Sequence, residues 1–217
     1  MAVIPFYGAE DPVMFALERR AMDRPGHVIS ALERRLPAEG LILDVGAGDG
    51  FTAQRLVQDR RRVIALEPAA GMVRPERALS WVRGEAEHLP FSDAAVDAAY
   101  ATWAYFFTGG GWDPWPGLRE LHRVVRLGGP LLIVDNLGDD GFLSYLEDGT
   151  GHRADPEIWN GFGFECEAIE TVFAFDDLED ARTLFAFYFG ESGRNDPKLE
   201  IGYRVGLFVG VSTGPTA

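Results

Sequence analysis

Apolar residues along the chain fall into two recurring patterns: short unbroken runs, and segments whose apolar positions lie three and four apart. The runs at 41–45 (LILDV), 62–67 (RVIALE), 79–83 (LSWVR), 95–101 (AVDAAYA) and 131–135 (LLIVD) read as buried strands. Helical spacing fills the intervals between them. Met14, Leu17 and Ala21 share a face after Asp11-Pro12, an N-cap acid followed by proline at the first helical position. Ile29, Leu32 and Leu36 share another over 27–36, and Pro37 stops it. A helix-like segment over 51–60 follows the first run, and a short one begins near Pro68 and reaches Met72. Leu118, Leu121, Val124 and Val125 line up before Gly128-Gly129. Five strands alternating with helices predict an α/β fold built on a parallel, doubly wound sheet.

Beyond residue 135 the pattern changes. Residues 136–161 mix glycine, aspartate and aromatics, which predicts an insertion lying over the strand ends. A strand-like stretch at 162–175 precedes a helix over 177–190, whose start DDLE is like a capping box and whose apolar face holds Leu184, Phe185 and Tyr188. Residues 202–212 read as a last strand. No repeat or linker interrupts the chain, so residues 1–217 are expected to form one domain, with 1–37 as an N-terminal helical cap.

The first run carries the chemistry. It leads into Gly46-Ala47-Gly48-Asp49-Gly50, and glycine suits a strand-to-helix turn because it accepts positive φ and lets a ligand approach the backbone. Asp44 is out of place among Leu, Ile and Val unless it has a partner. A dinucleotide would need G-x-G-x-x-G and would meet Asp44 near its pyrophosphate; here the spacing is G-x-G-x-G. The sulfonium and ammonium groups of S-adenosylmethionine suit the carboxylate better. Glu67 ends the second run, where an acid can accept two hydrogen bonds from a ribose diol. The bland alternative is a helix cap, since Pro68 follows.

Composition narrows the partners. Thirty-four acids against 20 bases give a net charge of −14, which opposes a nucleic-acid partner. Arg60-Arg61-Arg62 reads as a solvated basic patch. With 47% hydrophobic residues, one cysteine (Cys166), no signal-peptide pattern and no apolar stretch of membrane-spanning length, the chain is expected to be cytoplasmic, away from membranes and without disulfides. No zinc or calcium ligand spacing appears, and no metal is expected.

Five segments in order, LILDVGAGDG, VIALEPAAGMV, GEAEHLPF, VDAAYATWAYFF and LRELHRVVRLGGPLLIVD, resemble the class I S-adenosylmethionine-dependent methyltransferases. The likeness is to the small branch related to quinone-biosynthesis methyltransferases and covers roughly residues 38–138. It implies a Rossmann-like, mostly parallel seven-stranded sheet with an antiparallel terminal strand and helices on both faces. It also implies S-adenosyl-L-methionine as cofactor and S-adenosyl-L-homocysteine as product. By position, the backbone of Gly46, Ala47 and Gly48 would face the cofactor, Asp44 its methionine end and Glu67 its ribose. Pro68 and Met72 would lie beside the adenine, with Glu85 (where the family usually has aspartate) and Ala86 reading its edge. Thr102 and Trp103 would line the methyl-donor site.

These features lead to an expected in-line methyl transfer to a small molecule. The aromatics Trp103, Tyr105, Phe106, Phe107, Trp112 and Trp115, with Phe142, Tyr145 and Trp159, suggest an apolar or aromatic acceptor pocket. Tyr7 and His27 are loose candidates for ligand contact. No catalytic residue is assigned: His27, His88, His122 and His152 are scattered, and Asp135 is a weak metal or acceptor candidate. A non-catalytic cofactor-binding or regulatory module, aminopropyl transfer on a related fold, and a nicotinamide dehydrogenase are the alternatives. Oligomeric state and acceptor identity leave no mark in the sequence.

Overall fold

The computed structural model describes residues 7–107, 113–146 and 152–215, with Tyr7 and Ala9 described in backbone only. Its centre is a seven-stranded sheet. Strands β1 (Gly40–Val45), β2 (Arg61–Leu66), β3 (Ser80–Val82), β4 (Ala98–Thr102) and β5 (Pro130–Asn136) run parallel, and β6 (Glu165–Ala174) and β7 (Glu200–Val211) complete the order β3-β2-β1-β4-β5-β7-β6. β7 is antiparallel to both of its neighbours. The central strands β1, β4 and β5 are short apolar runs because helices cover both faces. In β1, Ile42 enters one core with Leu32, Tyr100, Leu132, Phe185 and Leu207. Leu43 and Val45 enter the other with Ala99, Leu121, Ile133, Trp159 and Phe208.

The helices are α1 (Tyr7–Glu10), α2 (Pro12–Ala21), α3 (His27–Arg35), α4 (Phe51–Leu56), α5 (Trp115–Val124), α6 (Pro156–Gly161) and α7 (Leu178–Asn195). Asp11 caps α2 by accepting the Met14 N–H, and Asp177 caps α7 through Glu179 and Asp180. α4 is shorter than its apolar pattern predicts. The reason is Arg61, whose Nε donates to the Leu56 carbonyl at 2.6 Å and ends the helix there. Arg61 is 1% exposed and also reaches Pro37 O and Glu33, so the basic triplet is not wholly solvated surface. It is a tie between α3, α4 and β2.

The aromatics expected in the acceptor pocket divide. Phe142 stacks on Phe173 with centroids 4.1 Å apart, and fully buried Trp159 packs on Phe164 and Phe208. Both build the core, because the segment after β5 folds back against β6 and β7. Residues 108–112, including Trp112, lie outside the described residues.

Candidate active site at the strand ends

Strand order reverses between β1 and β4, which leaves a crevice beyond their carboxyl ends. Pairing of Asp44 with Tyr100, and of Thr102 with Val134, brings Asp44, Thr102, Trp103 and Asp135 to that edge. Glu67 stands there one residue past β2.

Asp44 is fully buried. The Tyr100 hydroxyl donates to its Oδ2 at 2.9 Å, while Oδ1 is buried without a hydrogen-bond partner among the described residues. Burial pushes the carboxyl up to about 8, only partly opposed by the Tyr100 hydrogen bond. The same burial raises the Tyr100 phenol well above its ordinary range. Tyr100 is therefore the partner that the lone acid required. Its position in the buried AVDAAYA run concealed it, since tyrosine there also reads as packing.

Glu67 is nearly as buried and faces the glycine loop. Its Oε2 accepts the Gly48 N–H at 2.8 Å and its Oε1 the Ala69 N–H at 2.9 Å. Burial raises its pKa against the pull of these two bonds. The N–H groups of Gly46 and Ala47 both donate to the Leu66 carbonyl. Gly46 has φ +74°, and a Cβ there would lie 2.5 Å from that of Ala104, so only glycine fits.

The other expected positions are distributed around this centre. Met72 and Ala86 are buried, and Pro68 and Thr102 are half-buried. Glu85 is exposed, within 4.8 Å of ligand atoms of Glu87 and His88. His27 is turned away, its ring bonded to the Glu170 carbonyl on β6.

Trp103 has φ +46°, a rare conformation for a bulky residue and one that clusters at functional sites. Its indole N–H donates to Asn136 Oδ1 at 3.0 Å, and its ring stacks on Tyr203 at 6.4 Å. The Tyr203 hydroxyl bonds the same Asn136 oxygen. From α2, the Arg19 guanidinium lies over the Trp103 ring at 5.2 Å. One turn earlier, Phe15 approaches Gly48, its Cζ 3.5 Å from where a Cβ would stand. Thus α2 reaches from the glycine loop to Trp103. Two clefts of about 560 and 340 Å³ lie elsewhere, touching none of Asp44, Glu67 and Trp103.

The far side of this edge holds a pair that no sequence pattern marks. Buried Asp135 accepts from or shares a proton with His152 Nε2 at 2.6 Å, and its other oxygen takes the Asn136 N–H at 2.8 Å. The Phe107 ring meets His152 edge-on at 4.9 Å. The hydrogen bond to Asp135 raises the imidazole pKa. Burial raises that of Asp135 despite His152.

Residues 43–133, from β1 to β5, match the methyltransferase domain family. That segment, which holds the five parallel strands, resembles a methyltransferase domain. An uncharacterized methyltransferase of Mycobacterium tuberculosis is 34% identical over 140 residues, which span 61% of this chain and 56% of that one. The match thus covers little more than half of the relative's length. A demethylmenaquinone methyltransferase of Thermobifida fusca is 33% identical over 104 residues, 44% of this chain and 43% of that one. In overall fold the chain is similar to an S-adenosylmethionine-dependent methyltransferase of Thermotoga maritima (TM-score 0.59, 19% identity, 95% of this chain and 100% of that one). Among the described residues, no helix is long and apolar enough to cross a membrane.

Proposed function

We propose that this protein transfers the methyl group of S-adenosylmethionine to a small-molecule acceptor by in-line displacement. The observation that carries the reading is Asp44, a fully buried carboxyl beside a glycine loop, one of whose oxygens has no hydrogen-bond partner among the described residues. Burial makes the ionised form costly and keeps a proton on the group, and a cationic ligand group would favour its carboxylate instead. The bound cofactor would supply an activated methyl group on a sulfonium. Asp44 would hold its cationic end, and the Gly46–Gly48 backbone would allow close approach.

Glu67 has one N–H on each carboxylate oxygen, and each oxygen keeps a lone pair with which to accept a ribose hydroxyl. Pro68, Met72, Glu85 and Ala86 would bound the adenine, and Thr102 and Trp103 the reacting end. Positioning can supply much of the acceleration because the donor is already activated. The half-buried rings of Trp103 and Phe107 favour a flat, apolar acceptor. The quinone-type relative named above supports that class.

Calorimetry with S-adenosylhomocysteine and with NAD tests the cofactor assignment, and transfer of labelled methyl to an acceptor panel tests the reaction. Tight NAD binding without adenosyl-sulfur binding would sink it.

A further inference from the structure

The Asp135–His152 pair stands at the same sheet edge as Asp44, beyond β4, and pairs a buried carboxylate with a half-exposed imidazole. Asp135 is 1% exposed at the carboxyl end of β5, whereas the His152 side chain is 35% exposed. Nε2 is held by the carboxylate, and Nδ1 has no hydrogen-bond partner among the described residues. A buried carboxylate on one ring nitrogen fixes the tautomer and leaves the other nitrogen's lone pair available to a substrate. The pair also adjoins the aromatic wall. Asn136, next to Asp135, accepts from both Trp103 and Tyr203, and Phe107 lies against the His152 ring.

We infer that His152 is the catalytic base for a phenolic acceptor and that Asp135 is its positioning residue. The inference rests on the methyl-transfer reading and specifies its substrate class. The flat faces of half-buried Trp103 and Phe107 near this pair suit a phenol or hydroquinone ring. Such a hydroxyl has a pKa near that of tyrosine, about 10, so only about 0.1% is ionised at pH 7. A base is therefore worth having.

In the step, the acceptor oxygen forms its bond to the methyl carbon while the carbon–sulfur bond breaks and leaves its electron pair on sulfur. The hydroxyl proton passes to His152 Nδ1. The imidazolium that results is paired with the Asp135 carboxylate until the proton returns to solvent. The charged groups around His152 are Asp135 on β5, neighbouring Arg153 with its partner Asp139, and, beyond Asn136, the Tyr203 phenol of β7.

The test uses methylhydroquinone as probe on the intact protein, the wild type and two variants. NMR of the histidine rings in the S-adenosylhomocysteine complex should show the His152 signals, assigned with His152→Asn, moving when methylhydroquinone is added. Single-turnover transfer to the same probe should fall by about 10²- to 10⁴-fold at pH 7 in His152→Asn. That deficit should close as pH rises past the phenol's own pKa, with cofactor affinity unchanged. Asp135→Asn should move the rising limb of the rate profile to lower pH without altering the probe's KM. Ring signals indifferent to the probe, or an Asn variant with the wild-type rate and profile, would overturn the inference. If S-adenosylhomocysteine binding measured alongside is intact, methyl transfer itself survives that result; if it is absent, both readings fall.

Discussion

Replacing Asp44 with asparagine isolates the charge of a buried side chain while preserving its shape and its acceptor for Tyr100. With the carboxyl pushed up to about 8, roughly 0.9 of it is protonated at pH 7. A sulfonium or ammonium group beside Oδ1 should pull the pKa well below 6 and expel that proton on binding. Calorimetry of S-adenosylmethionine binding at pH 7 in buffers of different ionisation enthalpy should therefore report release of about 0.9 proton. Affinity should tighten about ninefold between pH 6 and pH 7, since ionising the group costs about 1.4 kcal/mol per pH unit below its pKa. Asp44→Asn should release no proton, lose this pH dependence and bind about 10- to 100-fold more weakly at pH 8, the scale of one charge-assisted hydrogen bond.

Stability provides an independent check with the opposite sign. A carboxyl whose folded pKa is raised holds its proton longer when folded, so wild-type stability falls as pH rises from about 4 towards 8. At pH 7 that penalty is about 4 kcal/mol, from a displacement that starts at 3.8. The asparagine variant should lose that slope. Tight binding without proton release, together with an unchanged affinity in Asp44→Asn, would refute the argument.

Three further outcomes are expected. Glu67→Gln should weaken S-adenosylhomocysteine binding by about 10-fold or more. It should also lower stability to denaturant by about 1–3 kcal/mol, because its amide cannot accept both the Gly48 and the Ala69 N–H; an unchanged dissociation constant in the folded variant rejects the ribose role. Trp103→Ala should reduce methyl transfer more than cofactor affinity, because it removes the stacking on Tyr203 and the bond to Asn136; losses in equal proportion would assign Trp103 to the cofactor wall. The His152–Asp135 pair raises the histidine pKa, so its contribution to stability should be full below about 6.5 and lost as pH rises through the higher folded value. Urea melts of wild type and His152→Asn across pH 5–9 should converge at the alkaline end, and parallel curves would exclude the coupling.

The central parallel strands were legible because they are apolar runs wrapped by helices, and Gly46 and Pro68 mark where β1 and β2 give way to loops. Two acids of the candidate site stood out for a related reason. Asp44 and Glu67 are acids in places where burial makes an acid conspicuous. The remainder depends on contacts between residues distant in sequence. Tyr100 could be identified as the partner of Asp44 only through the pairing of β1 with β4. His152 meets Asp135 across 17 residues of irregular chain, and no periodicity points to such a meeting. Arg61 looked like one member of a basic patch, yet its guanidinium satisfies carbonyls left open at chain turns. Even Glu67 carries a second duty, since it also fastens the loop that it was expected only to face.

The placement of β7 has a consequence for how the molecule is made. β5 ends at Asn136, but the strand that flanks it begins at Glu200, about 60 residues later in synthesis. At roughly 5–20 residues per second, the ribosome leaves β5 as a bare apolar margin for several seconds. During that interval the five parallel strands are already complete in sequence, yet their open edge can pair with any extended chain nearby. Insertion of β7 between β5 and β6 is the event that closes this window. A nascent-chain chaperone would protect the protein most during synthesis of residues 137–211.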